Sequence, residues 1–552
     1  MGTIADKLAY LGQTKAEIRD AIISKGITVP AATAFREYAG KIREITSEEG
    51  NTNPAEWTRP ADWLPIAHKV VAGDQKFVGL HAIYEDSNFV SLSATGNYTV
   101  DWGDGLVENF TSGAQAYHLY SYDAFPGTET AGGYRQAIVT VTPQAGQNLT
   151  GINLQKKHNQ AGLNNLYNSG WLDIRISGQN IASLIIGGQT IYHRCLESFC
   201  FVGNNAITDF NRFFSGCYVL QSIPMLDTSN GTDFKYMFQV CTLLQSVPLL
   251  DTSKGINFSS MFQSCIALQT LPLFNTAKGT VFGNMFQDCI SLKTVPFFDT
   301  AKGTDFRYMF QNCKSLRTVP LFDTSMGINF SSMFQSCTAL QEIPLLNTVK
   351  GTNFNNMFSS NTSLQTVPLL NTANGTDFSG MFSMCYNLQT VPLLDTAKGT
   401  NFSSMFTSNA SLQAIPLLNT ANGTNFNTMF SGCTLLQTIP LLDTSKGTDF
   451  SVLFSGCYAL ETLPLLNTSN VARFDSMFTN CGTLSKASFS GTKENISYTG
   501  CKLSRTALVA VFSNLASGVV AKTITITNNW GAALLTAEDR AVATDKGWTI
   551  VG

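Results

Sequence analysis

The chain has 552 residues, of which 13% are charged and 44% are apolar, and its formal net charge is −3. It contains no basic run that would neutralise nucleic-acid phosphates and no apolar stretch of 18 residues that would span a membrane. All five histidines lie at or before His193, and phosphate-binding, zinc-protease and nucleophile-elbow motifs are absent. The sequence therefore predicts no enzyme, no cofactor and no metal site.

Residues 1–46 have the apolar periodicity of a small helical module, with Thr14 and Glu17 as a capping-box start. The segments ADKLAYL and FREYAGKI resemble the N-terminal module of many phage tail and virion proteins. The resemblance implies attachment to a virus particle. The residues alone equally describe a helical hairpin with an oligomerisation role.

Residues 47–66 form a linker rich in tryptophan and proline. Extended stretches of this composition dock into grooves of neighbouring subunits, so Trp57, Arg59 and Trp63 are the predicted attachment residues. The alternative is that the tryptophan rings pack on the next domain of the same chain.

Residues 67–150 alternate like strands, and their YTVDWGDG and YRQAIVTVT segments resemble PKD-like β-sandwiches. The resemblance implies a spacer or adhesion module. Asp104 and Gly105 predict a hairpin turn, and Trp102 is a candidate core residue. Asp101 and Asp104 suggest either turn formation or a calcium ion. Residues 151–204 are predicted to be irregular coils that cap the following repeats.

Residues 205–488 contain a repeat without insertions. Two phenylalanine series, 210–474 and 214–478, keep a 24-residue period, and eleven of the 17 prolines keep the same period from 224 to 464. Such a period is typical of a solenoid, here of about twelve coils.

One repeat shows how a coil is expected to fold. Residues 258–265 have apolar side chains at i, i+3, i+4 and i+7, which predicts a short helix capped by the preceding Asp or Asn. Residues 268–273 read L-x-x-L-x-L, which predicts a strand with Leu273 inward and with Pro272 and Phe274 as candidates for the exposed side.

The repeat resembles the BspA-type leucine-rich repeats of bacterial and phage surface proteins, through MFSGC at 429–433 and IPLLDTS at 439–445. The resemblance implies an adhesive or recognition scaffold with no shared catalytic residues. Residues 489–552 leave the repeat and predict a helix, a strand and a last helix before residues 548–551. They resemble the C-terminal caps of such solenoids.

Three residue columns recur once per coil. Ten of the 13 cysteines share one position, where Asn361 and Asn409 replace two others, so buried reduced thiols that bond a neighbouring coil are expected. An Asp/Asn column that begins at Asp227 predicts side chains that accept hydrogen bonds from the backbone amides of the turns, with calcium binding as the alternative. A Thr column beside it suggests an ice-binding face only weakly.

The predicted ligand-binding residues form a mostly neutral amide column with a cationic patch, and a merely soluble face is the alternative. They are Gln245, Gln269, Lys293, Arg317, Gln341, Gln365, Gln389, Gln413 and Gln437.

The predicted fold class is modular, with a helical N-terminal module, an all-β sandwich and an α/β leucine-rich-repeat solenoid that ends in an α/β cap. The predicted function is a phage virion fibre that binds other virion proteins through residues 1–66 and a host-surface glycan or protein through the solenoid. Residues 1–7 lack the order of a secretory signal, so assembly in the host cytoplasm and location in the virion are expected. A homo-oligomer is expected by analogy with such fibres, which are usually trimers. The alternatives are a structural virion protein without a receptor and a bacterial surface adhesin.

Overall fold

The computed structural model describes residues 57–157, 170–188 and 195–552. The predicted helical module at 1–46 and the first ten residues of the predicted linker lie outside the described residues. Residues Arg59–Gly552 form one compact unit. No helix in the described part of the chain has the length and apolar character needed to cross a bilayer.

Two sheets occupy the first part of this unit. Their strands are Lys76–Ile83 (β1), Phe89–Thr95 (β2), Tyr98–Asp101 (β3), Val107–Phe110 (β4), Gln115–Leu119 (β5), Arg135–Pro143 (β6), Gly151–Asn153 (β7), Trp171–Ser177 (β8), Ser183–Ile185 (β9) and Ser198–Phe201 (β10). One sheet has the order β10-β8-β1-β6-β3-β4 and the other has the order β5-β2-β7-β9. Short 3₁₀ turns lie at Ala67–Lys69 and Tyr122–Ala124.

The two sheets share an apolar core. Trp102 is fully buried, and its backbone carbonyl accepts a hydrogen bond from the Tyr120 hydroxyl over 2.8 Å. Strands β3 and β4 pair antiparallel across Asp104 and Gly105. The predicted hairpin turn, the core tryptophan and the strands on either side are therefore confirmed.

The sheets pass into the solenoid without a break. Strand β8 pairs antiparallel with β1 and parallel with β10, and β7 pairs antiparallel with β2 and parallel with β9. The Gly187 amide then donates to the Phe213 carbonyl over 2.9 Å, inside the first repeat. The described residues between 151 and 204 therefore complete both sheets as well as covering the end of the repeats.

The repeats form a β-solenoid of about fourteen turns. A parallel β-bridge joins each coil to the next between residues spaced 24 apart. The first of these bridges is Asp209–Asp233 and the last is Asp449–Arg473. Phenylalanine rings stack from coil to coil inside, as Phe234 and Phe258 do at 5.6 Å between centroids and 2° between planes. Buried apolar area supplies most of the folding free energy in such a stack.

The predicted helix within each coil is wrong. At residues 258–265 the amides of Met261, Gln263 and Cys265 bond carbonyls three residues back, whereas the alternate amides donate to the next coil, as Ser260 does to Gly283 over 2.9 Å. Ser260 and its equivalents have positive φ, here 55°, which a right-handed helix does not allow. The helical spacing instead reflects overlapping tight turns whose apolar side chains share one inward face.

The cysteine column behaves as predicted. The Cys265 thiol lies 3.1 Å from the Phe238 carbonyl of the preceding coil, and Asn361 Nδ2 donates to the equivalent Phe334 carbonyl over 2.9 Å. All thirteen cysteines are free thiols. In the neighbouring Thr column, Thr276 is buried and its hydroxyl donates to the Asp299 carbonyl over 2.7 Å, so this column is not an ice-binding face.

The helix, strand and second helix predicted for residues 489–552 are confirmed among the C-terminal elements of the chain. The C-terminal elements are Thr462–Asn467 (β11), Lys486–Ser490 (β12), Ile496–Ser497 (β13), Arg505–Asn514 (α1), Lys522–Thr525 (β14), a 3₁₀ turn at Ala532–Leu534, Ala537–Thr544 (α2) and Trp548–Val551 (β15). Helix α1 buries Leu508, Val511 and Phe512 beside β12, so the last coil has an apolar cover.

Candidate recognition face of the solenoid

The extended part of each coil presents a different side chain to solvent from the one predicted. Leu273 is 58% exposed, whereas Phe274 is 2% exposed, the reverse of the expected orientation. The reason is a break in the alternation of inward and outward side chains at the proline: in β11, Leu463 is buried, Pro464 is half-buried, Leu465 is exposed and Leu466 is buried. Because two residues, and not one, separate the buried Leu463 from the buried Leu466, the later side chains of the segment lie on the face opposite to that of a regular strand.

An exposed apolar column results, which we call the leucine stripe. Its side chains are between 45% and 74% exposed. The members are Met225, Leu249, Leu273, Phe297, Leu321, Leu345, Leu369, Leu393, Leu417, Leu441 and Leu465.

The predicted amide column lies four residues before the leucine stripe in every coil. Lys293, Arg317 and the glutamines from Gln341 to Gln437 are exposed, whereas Gln245 and Gln269 are only half-exposed. The Lys293 ammonium donates to Gln269 Oε1 over 3.0 Å, which joins the cationic patch to the amides. The structure thus brings the predicted residues into one column, and their role in ligand binding stays a prediction.

The Asp/Asn column on the other side of the leucine stripe closes turns. Asp251 Oδ1 accepts a hydrogen bond from the Ser253 amide over 3.0 Å, and Asn275 accepts one from Ala277 over 3.2 Å. The bonds from Ser253 lower the pKa of the Asp251 carboxyl below its usual range. The predicted role of this column in hydrogen-bonding the turns is therefore confirmed. Within the described ranges, no group of three or more His, Cys, Asp or Glu residues is placed to hold a metal ion.

A second amide column was not anticipated. Gln239, Gln263, Gln287, Gln311 and Gln335 are half-buried, and the Nε2 of each of the first four donates to the Oε1 of the next over 2.6–2.8 Å. We call it the glutamine ladder. Its 24-residue spacing is legible in the sequence, but only the coil-to-coil register shows that the amides bond one another.

The predicted attachment residues have partners within the chain. Trp63 is 4% exposed and donates to the Tyr134 hydroxyl over 2.9 Å. The Arg59 guanidinium pairs with the buried Asp173 carboxylate at 3.0 Å, and Trp57 is half-buried. Residues 59–63 thus pack on the β-domain of the same chain, and a role in attachment remains a prediction.

The acidic pair in the β3–β4 turn also serves local structure. Asp101 Oδ1 accepts from the Gly103 amide over 3.0 Å, and Asp104 Oδ2 lies 2.7 Å from His118 Nε2. Turn formation, the first of the two alternatives, accounts for both carboxylates.

The repeat matches a known family model. Matches to the family described as "Mycoplasma protein of unknown function, DUF285" fall at residues 208–321, 282–391 and 376–491. Together they cover residues 208–491, just over half of the chain. The chain belongs to the DUF285 family. No curated protein shows significant sequence similarity to this DUF285 protein.

Solved structures with similar architecture include a leucine-rich cell surface protein from Faecalibacterium prausnitzii, with 17% identity, a TM-score of 0.33 and coverage of 62% of this chain and 88% of that one. The plant peptide hormone receptor RGFR1 in complex with RGF2 has 12% identity, a TM-score of 0.22 and coverage of 68% and 61%. The Drosophila Toll–Spatzle complex has 13% identity, a TM-score of 0.21 and coverage of 64% and 53%. TM-scores this low carry no argument about the DUF285 protein.

Proposed function

We propose that this protein is an adhesive recognition protein of a phage virion, a tail fibre that binds the bacterial host surface through its solenoid. The observation that supports it is the column of exposed amides and cations on a leucine-rich-repeat-type scaffold. Backbone bonds join several residues of this column to the next coil, as the 3.3 Å bond from the Gln389 amide to the Gln365 carbonyl does. A fixed row of amide donors and acceptors suits glycan hydroxyls or a polar protein surface.

The finer elements of the proposal rest on resemblance. Residues 1–66 would hold the protein on the particle, and the PKD-like β-domain would act as a spacer. Virion location follows from the same resemblance.

The experiment is saturation binding of the purified full chain to a panel of intact bacterial strains. Binding to one strain that competes with phage adsorption is expected. A Gln365/Gln389/Gln413→Ala variant is expected to weaken it at least tenfold. A Lys398/Lys446→Ala variant, which changes exposed residues of a different column in the same region of the solenoid, is the matched control. Loss of binding in both variants alike, or binding to no strain, would contradict the assignment.

Two other functions give different outcomes. A structural virion protein without a receptor would associate with tail or capsid proteins through residues 1–66 and bind no cell. A bacterial surface adhesin would fractionate with the cell wall of the producing strain.

A further inference from the structure

Every residue of the leucine stripe is apolar, whereas the neighbouring exposed columns contain residues of different polarity and charge. All eleven positions hold Leu, Met or Phe although each is exposed. The amide column four residues earlier admits Lys293, Arg317 and Glu461, and the exposed column next to it admits Glu342 and Ala414. Polar residues at the stripe would satisfy the fold equally well, so the constancy of its apolar side chains indicates that something other than folding selects them.

The area of the stripe is that of a stable interface. Eleven large apolar side chains, each 45–74% exposed, present roughly 1,000 Å² of surface. The largest apolar patch of a typical monomer is about 300–600 Å². A stable complex buries about 800 Å² on each partner.

The regular spacing of the stripe indicates its occupant. The stripe residues recur once per coil, and inside the solenoid the stacked rings of adjacent coils are 5.4–6.3 Å apart. A partner with another repeat loses register within a few coils, whereas a second copy of this chain has the same rise along all eleven. A row one residue wide also fits another narrow row, whose side chains interdigitate with it.

We propose that the leucine stripe is a homotypic interface through which two copies of this chain pack along their solenoids. Leucine would meet leucine at the centre, and the amide columns would lie at the rim, where polar side chains remain hydrated. This inference is independent of the proposed receptor and of residues 1–56.

The first test measures the mass of the full chain in solution. Wild-type protein is expected to sediment as an oligomer at micromolar concentration. A Leu345/Leu369/Leu393→Asp variant is expected to weaken self-association at least a hundredfold. A Gln341/Gln365/Gln389→Asp variant places the same charges on the same coils and is expected to stay associated. Circular dichroism melting of both variants verifies that the coils remain folded.

Cysteine cross-linking separates the stripe from any association through other segments. Leu273→Cys, Leu345→Cys and Leu417→Cys are oxidised under mild conditions beside the wild type, whose repeat thiols are buried. Parallel copies would cross-link at all three positions, and antiparallel copies only at Leu345, the middle of the eleven. Either pattern supports the interface. Absence of cross-links above the wild-type level at all three positions would overturn it, whatever the measured mass.

Discussion

Asn361 and Asn409 occupy the same repeat position but are bonded differently. Asn361 Nδ2 donates to the carbonyls of Phe334 and Phe358, each over 2.9 Å. Both polar atoms of the Asn409 amide are buried without a hydrogen-bond partner. An unsatisfied buried polar group costs about 1–3 kcal/mol, so this coil is locally weaker than its neighbours.

Replacing each asparagine by the cysteine of the other coils should therefore have opposite effects. Asn409→Cys is expected to raise the free energy of unfolding by about 1–2 kcal/mol, because it removes the unsatisfied amide. Asn361→Cys is expected to lower it by up to about 1 kcal/mol, because two hydrogen bonds are exchanged for one weak thiol contact while the unpartnered Asn361 Oδ1 is also removed. Urea unfolding at pH 7 measures both. Equal changes in the free energy of unfolding of the two variants would mean that the repeat position, and not the hydrogen bonding of each asparagine, determines the effect.

At the scale of one element, the glutamine ladder links five consecutive coils. Gln287 lies inside it, accepting from Gln263 and donating to Gln311, whereas Gln335 lies at its end. Gln287→Ala should therefore destabilise the protein by about 1–2 kcal/mol and Gln335→Ala by about half as much. Thermal unfolding of the pair tests this, and a larger loss at Gln335 would show that the ladder contributes little.

The thiol column predicts a pH dependence. Burial raises the pKa of Cys337, Cys385 and Cys433 to about 12. Below the ordinary thiol pKa near 9, folded and unfolded chains both keep these protons, so the thiols leave stability unchanged. Above pH 9 the unfolded chain loses them first, and the free energy of unfolding falls as the pH rises towards 12.

The measurement is the urea midpoint at pH 8, 9.5 and 10.5. A Cys337/Cys385→Ala variant serves as the control, because the tyrosines and lysines that also titrate are unchanged in it. Its midpoint should be lower at pH 8 and should fall less steeply with pH than that of the wild type. Parallel curves for the two proteins would assign the alkaline loss to other groups.

The sequence predicts some elements of the coil and misleads on others, for physical reasons. The period, the buried phenylalanines and the Cys/Asn exchange follow directly from residue type. The spacing of Phe258 to Cys265 suits both a helix and overlapping turns, and only left-handed residues such as Ser260 decide between them. The inward orientation predicted for Leu273 is wrong because L-x-x-L-x-L does not reveal that the alternation breaks at the proline, and the candidate face changed with it.

At the scale of the whole molecule, the coils are equivalent and touch only their neighbours. Deleting residues 349–396, two full periods of 24, should join matching positions and leave a folded, shorter solenoid. Deleting residues 349–384, one and a half periods, should bring inward and outward positions together and prevent folding. Circular dichroism melting and dye binding to exposed apolar surface distinguish the two. A folded product from the second deletion would contradict strict coil-to-coil register.

The continuous passage from the sheets into the coils also has a mechanical consequence. Hydrogen bonds link each coil to the next along the solenoid. A force applied to the two ends of the solenoid therefore acts on these sets of bonds in series, and the solenoid unwinds from one end. Each released coil adds 24 residues, or about 80 Å of extended chain. Stretching a single molecule would then give a sawtooth of nearly equal steps, so the solenoid would yield gradually under load and not break at one point.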